Sequence, residues 1–307
     1  MHLLSRMLQA TWHSALRQKL ATDVADAGYR MWLEMRQVFD QLSSDSSVRA
    51  IVLTGAGRKA FTAGLDVKQA PLVLFSDKGG SDTARKAVNI RRYIHQFQDC
   101  LTAIERCEKP VIAAMHGYSY GFAIDISAAA DIRICTRDVH FSVKEIDIGM
   151  AADIGVLSRL PKIVGNFGWV KDVALSARIF GAEEAHRVGF INSIHDSKEA
   201  MVGAALDIAS LIAEKSPVAV HGTKELLNWS RDHPIAEGKG PFGLGLPPPA
   251  CLLFDSYPCG HPIANECHYF KGLRYTAVWN SAAIQTGDVS TALMAGIEKR
   301  TPTFEKL

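Results

Sequence analysis

Three carboxylates stand where surface acids do not: Asp125 in FAIDIS, Glu145 in SVKEIDIG and Asp153 in MAADIG, each framed by apolar residues. An acid among isoleucines is either a buried ion-pair partner or helix cap, or a working group whose pKa burial has raised. Two such carboxyls can divide the labour of moving a proton α to a carbonyl: one abstracts it and the other donates to the receiving carbon. Glu145 and Asp153 are eight residues apart, across a strand end and the following turn, which leaves room for several substrate carbons between them. Any one acid alone fits the structural reading as well, but three in apolar frames favour chemistry. Asp66 reads as a helix N-cap and Asp147 as structural or ion-paired.

Two glycine-bearing segments, FTAGLD (61–66) and HGYSYGFAID (116–125), read as strand exits leading toward helices, where backbone N–H groups are left without acceptors. Brought together, two such turns could donate two hydrogen bonds to a carbonyl oxygen becoming an enolate. Taken singly, each is equally a tight strand-to-helix connection.

The elements that must position these groups follow from periodicity. Residues 30–43 predict an amphipathic helix with Trp32, Met35, Val38, Phe39 and Leu42 on one face. Residues 49–53 and 111–115 predict buried strands. A long helix over 85–106 must end at EKP, because proline disfavours helix in the residue before it. Residues 68–84, with Gly79-Gly80, suit an irregular loop. Further helices are predicted over 154–163, 166–178, 182–189, 197–214 and 218–231. The alternation of strand and helix gives an α/β layered architecture.

Composition excludes several classes. The chain has 307 residues, 48% hydrophobic and 21% charged, with a net charge of +2, so nothing favours nucleic acid or a polybasic membrane contact. No apolar run approaches the roughly 20 residues of a membrane-spanning helix. The six cysteines form no CxxC pair; Cys100, Cys107 and Cys135 are expected as reduced, buried thiols, and no metal site is expected. Residues 1–22 are basic, with no acid before Asp23, and read either as a mitochondrial presequence or as an amphipathic helix packed on the body.

AFTAGLD, KPVIAAMHGYSYGFAIDISAAADIRI and VKEIDIGMAADIG together resemble the crotonase (enoyl-CoA hydratase/isomerase) superfamily, from about residue 31 to 238 and again from 273 to the end. Within it, the Asp125, Glu145 and Asp153 trio resembles the Δ3,5-Δ2,4-dienoyl-CoA isomerases; hydratases carry Glu at the first two positions and no acid at the third. The resemblance implies a crotonase-like ββα spiral core and a fatty acyl-CoA substrate whose CoA is part of the substrate, with no separate cofactor. It also implies a homo-oligomer, trimer or hexamer, built on helical C-terminal elements. Carried over by position, the oxyanion donors are the backbone N–H groups of Leu65 and Phe122, with Ala63, Gly64 and Gly121 contacting substrate. Glu145 becomes the base at C2, Asp153 the acid at C6, and Asp125 a stabiliser of the extended dienolate. The expected activity is isomerisation of 3,5-dienoyl-CoA to 2,4-dienoyl-CoA in fatty-acid β-oxidation. Alternatives are an enoyl-CoA hydratase, or an inactive isoform or binding protein.

Two features depart from the family pattern. Residues 1–30 form an atypical segment lacking the expected pair of opening strands and a turn that contacts CoA, which predicts a missing sheet edge. Residues 239–272, rich in Gly, Pro and Cys, read as an insert; joining Gly238 to Leu273 restores a helical run. The organisation expected is therefore an atypical 1–30, a catalytic core over 31–215 and a helical region over 216–307 interrupted by the insert. The C-terminal FEKL matches a peroxisomal SKL signal only in its last two residues. The expected compartment is a peroxisome or mitochondrion, the peroxisome slightly favoured.

Overall fold

A computed structural model describes residues 9–11, 24–64, 82–232 and 286–306. The expectations for Leu65, Asp66, residues 68–81 of the predicted 68–84 loop, the 239–272 insert and the helical run after Leu273 lie outside the described residues.

Short strands alternate between two sheets. Gln9–Thr11 (β1), Ile51–Thr54 (β2), Val111–Met115 (β4), Ile132–Thr136 (β6) and Ser193–His195 (β9) form a parallel sheet in the order β1-β2-β4-β6-β9. After each of its three middle strands the chain steps into a second sheet. There Ala60–Thr62 (β3), Tyr118–Tyr120 (β5) and His140–Ser142 (β7) run parallel, and Phe180–Gly181 (β8) closes the edge antiparallel. Helices Val24–Ser44 (α1), Thr83–Arg106 (α2), Phe122–Ala129 (α3), Val156–Ile163 (α4), Phe167–Ser176 (α5), Ala182–Arg187 (α6) and Lys198–Ala213 (α7) fill the intervals. Two strands and a helix repeat along the chain, so it winds as a spiral.

The first sheet is covered on both faces, which is why its strands are apolar without alternation. Ile51, Leu53, Val111 and Ala113 pack against Trp32, Met35 and Phe39 of α1 and Leu101 and Ile104 of α2. Val52, Ile112, Ala114 and Ile134 face Met201, Ala205 and Ala209 of α7. Phe141, Trp169, Phe180 and Phe190 build a third cluster behind the second sheet. The chain forms two compact units, Met1–Ala213 and Glu214–Leu307. The second contains Pro217–Asp232 (α8) and Gly287–Glu298 (α9), with Ser216 donating to Asp288 Oδ2 at 2.5 Å.

Four expectations need correction. A sheet edge is present at the N-terminal end: β1 pairs with β2 in the register Gln9↔Val52. Three residues held by backbone bonds are too few to display a strand's two-residue period. Helix α1 begins at Val24, ahead of the predicted 30. Its Val38 is 41% exposed, because at 100° per residue it falls roughly 40° outside the arc of Trp32, Met35, Phe39 and Leu42. Helix α2 starts at Thr83, where Asp82 accepts from the Arg85 N–H as N-cap. Cys100, Cys107 and Cys135 are buried thiols, as expected.

Candidate active site

The two glycine turns do not leave the first sheet directly for a helix, as the sequence suggested. A short strand of the second sheet precedes each glycine, and β3 and β5 are parallel neighbours with Ala60 opposite Tyr118. That pairing puts the turns side by side. A Cβ on Gly64, whose φ is +84°, would lie 3.1 Å from the Tyr120 carbonyl oxygen and 3.8 Å from Gly121 Cα. Only glycine fits such a left-handed, close-packed backbone. Gly121, φ +51°, donates its N–H to the Ser142 carbonyl at 2.9 Å, which ties the second turn to β7. Phe122 follows as the first residue of α3. The opening N–H groups of a helix have no intrahelical acceptor, so the donor assigned to Phe122 sits where a donor is available. Its ring packs on Phe97 at 5.3 Å, and Phe97 stacks on Trp32 at 4.9 Å. Ala63 is exposed beside Gly64.

All eight residues of α3 are buried, and this buries Asp125 completely. Its Oδ1 accepts the Val156 N–H at 2.7 Å at the start of α4, while Oδ2 has no hydrogen-bond partner among the described residues. Burial first, and the Glu145 charge second, push its pKa up to about 8. The structural role considered for it, as partner of a helix start, is thus real and coexists with an oxygen left unused.

Glu145 opens a 3₁₀ turn, Glu145–Ile148, directly after β7. Its Oε1 lies 3.1 Å from the position of a Cβ on Gly121, and its Oε2 is buried without a partner among the described residues. Burial holds its pKa above the usual carboxylate range, and the Asp153 charge adds to the rise. Asp153 is half-buried, and burial raises its pKa too. Its carbonyl oxygen accepts from Gln98 Nε2 at 2.6 Å, which fixes the backbone there to α2. The structure therefore brings Asp125, Glu145 and Asp153 into one electrostatic cluster beside Gly64 and Gly121. Asp147 is outside it, exposed and paired with Lys144 at 2.8 Å.

Four residues at this site escaped the sequence reading. Arg159 of α4 donates through Nε and Nη2 to Glu105 Oε2, at 3.1 and 2.9 Å, and through Nη2 to Thr102 Oγ1 at 3.1 Å. With Gln98, Thr102 and Glu105 form a polar line on α2 beside the buried Leu101 and Ile104. Their i, i+4, i+7 spacing was the available signal: polar residues repeating along the edge of an apolar stripe.

Two apposed glycine turns and a cluster of carboxyls with raised pKa make an acid–base site suited to an enolate. The chain matches the enoyl-CoA hydratase/isomerase family model over residues 28–238 and belongs to that family. Over 279 residues the chain is 39% identical to the mitochondrial Delta(3,5)-Delta(2,4)-dienoyl-CoA isomerase of Mus musculus, covering 90% of this chain and 74% of that one. It is 35% identical over 276 residues to the peroxisomal Delta(3,5)-Delta(2,4)-dienoyl-CoA isomerase of Arabidopsis thaliana, covering 90% and 86%. The crystal structure of an enoyl-CoA hydratase from Bacillus anthracis superposes with a TM-score of 0.65 at 23% identity, over 90% of this chain and 89% of that one. The last likeness establishes the crotonase fold.

Proposed function

We propose that this chain is a Δ3,5-Δ2,4-dienoyl-CoA isomerase acting in fatty-acid β-oxidation. The third carboxyl carries the reading: Asp153 interacts with both Asp125 and Glu145, whereas moving a proton between neighbouring carbons needs fewer acids. Glu145, as carboxylate, takes a proton from C2 of a 3,5-dienoyl thioester. The electron pair spreads from the thioester oxygen to C6. Asp153, as carboxylic acid, gives a proton to C6, which leaves double bonds at C2 and C4. The displaced charge on the thioester oxygen is met by backbone N–H donors at Phe122 and Leu65. After each turnover Glu145 carries the proton taken from C2 and Asp153 is left as a carboxylate, and exchange with solvent restores the starting state. Their environment supports this, since burial raises the pKa of both carboxyls and the Asp153 charge raises that of Glu145 further.

The names of the mouse and Arabidopsis relatives support the same substrate class, and CoA enters as part of the substrate, with no separate cofactor proposed. Those names include mitochondrial and peroxisomal enzymes, so they give no preference between the two compartments. A homo-oligomer, trimer or hexamer, remains part of the proposal, and native mass spectrometry reads it directly.

The test is incubation with 3,5-dienoyl-CoA while the absorbance of the conjugated 2,4-dienoyl thioester is followed. Appearance of that chromophore supports the reading. Hydration of a 2-enoyl-CoA without isomerisation would make the chain a hydratase, and no acyl-CoA-dependent thermal shift would make it an inactive isoform.

A further inference from the structure

We propose that Asp125 works as a neutral carboxylic acid with its proton on Oδ2, and that the Glu105–Arg159 pair keeps it so; this rests on the acid–base reading above. The geometry carries the assignment. Asp125 is fully buried, its Oδ1 is engaged by the Val156 N–H at 2.7 Å, and its Oδ2 has no hydrogen-bond partner among the described residues. An ionised carboxylate out of water requires donors on both oxygens or an uncommitted cation nearby. One amide supplies half of that.

The candidate cation is committed elsewhere. Arg159 directs both Nε and Nη2 to the same Glu105 oxygen, and that pair is largely buried, with side chains 13% and 15% exposed. Arg159 is close enough to matter: a Cβ on Gly155 would collide with its Nη1 and lie 4.0 Å from Asp125 Oδ1. Glu105 therefore neutralises a charge that would otherwise draw the proton off Asp125. The other charged groups acting on Asp125 are Glu145 and Asp153, and both oppose its ionisation. Val156 at the start of α4 and Arg159 favour ionisation, and burial outweighs them.

A neutral Asp125 has a purpose in the reaction. The negative charge of the intermediate spreads along the carbon chain between the base and the acid. An ionised carboxylate there would repel it, whereas an O–H group can donate to it. Arg159 and Glu105 are positioning residues, acting on substrate only through Asp125.

The test is carbon-13 NMR of the full chain labelled at the aspartate carboxyl carbons. Neutral-acid resonances are expected at neutral pH for Asp125 and for the proton donor Asp153, and only the former is expected to disappear in Asp125→Asn. In Glu105→Gln, Arg159 loses its countercharge, so the same resonance should titrate about one pH unit lower, a tenfold loss of proton affinity. The alkaline limb of kcat should move with it. A purely structural pair would lower Tm and leave the titration in place, which would overturn the assignment of Glu105 and Arg159. Aspartates that all titrate in the ordinary carboxylate range in the unmodified protein would overturn the neutral Asp125, even where a variant fails to fold. The resonance needs no turnover: a neutral Asp125 in a protein that does not isomerise dienes removes the proposed function and leaves the protonation state standing.

Discussion

Glu145 Oε1 lies 3.1 Å from where a Cβ on Gly121 would stand, so the residue that turns the chain into α3 also sets the seat of the proposed base. Gly121→Ala should disturb both. A side chain at φ +51° costs about 1–2 kcal/mol, and its methyl group presses on the carboxylate. The expected result is a fall in kcat of about tenfold or more with the fold retained, measured by steady-state kinetics beside circular dichroism. Unchanged kcat would separate the turn from the base.

Asp153→Asn should abolish proton delivery while leaving substrate binding in place, because Gln98 holds the backbone carbonyl of Asp153 and not its carboxyl. Loss of a positioned general acid costs about 10²–10⁴-fold in rate. Turnover and calorimetric binding of an acyl-CoA distinguish the two effects, and retained turnover would remove Asp153 from the mechanism.

Stability should fall with rising pH because of Asp125. Its pKa is raised from 3.8 to about 8 in the folded chain, so the folded state binds this proton more tightly than the unfolded chain does. The stabilisation is fully present below the unfolded value and is lost as pH rises through the folded value. Tm of the unmodified protein should decline from weakly acidic to alkaline pH, and Asp125→Asn should flatten that decline. Identical slopes in the two proteins would contradict the buried neutral acid.

Lys198 holds the loop that feeds β3 by donating to the carbonyls of Gly55, Ala56 and Gly57, at 2.5, 3.2 and 2.7 Å. The same Gly57 carbonyl is within 2.7 Å of His116 Nε2 at the exit of β4. Lys198→Met leaves these carbonyls without their charged donor, and a loss of about 1.5–3 kcal/mol is expected. Chemical denaturation measures it. No loss would show that water replaces the ammonium at this exposed loop.

The strands and helices of the core were legible because burial on both faces of the first sheet writes itself as unbroken apolar runs, as in Val111–Met115. The three carboxyls were legible for the converse reason, as acids in apolar frames. What escaped were features built by backbone pairing or by polar contact between distant elements. The β1 edge, the β3–β5 pairing that apposes Gly64 and Gly121, and the second-sheet strands have two or three residues each, too short for a period. Arg159 and Glu105 are 54 residues apart and look in sequence like ordinary surface charges. Their meaning depends on α2 and α4 lying together, which no local pattern records.

The most direct measurement is conversion of 3,5-dienoyl-CoA in deuterated water, with the product analysed by NMR. A proton taken at C2 by Glu145 and a different one delivered at C6 by solvent-exchanged Asp153 predict 2,4-dienoyl-CoA with deuterium at C6. A hydrated product, unchanged substrate, or a 2,4-diene without deuterium at C6 would contradict the division of labour between these two acids.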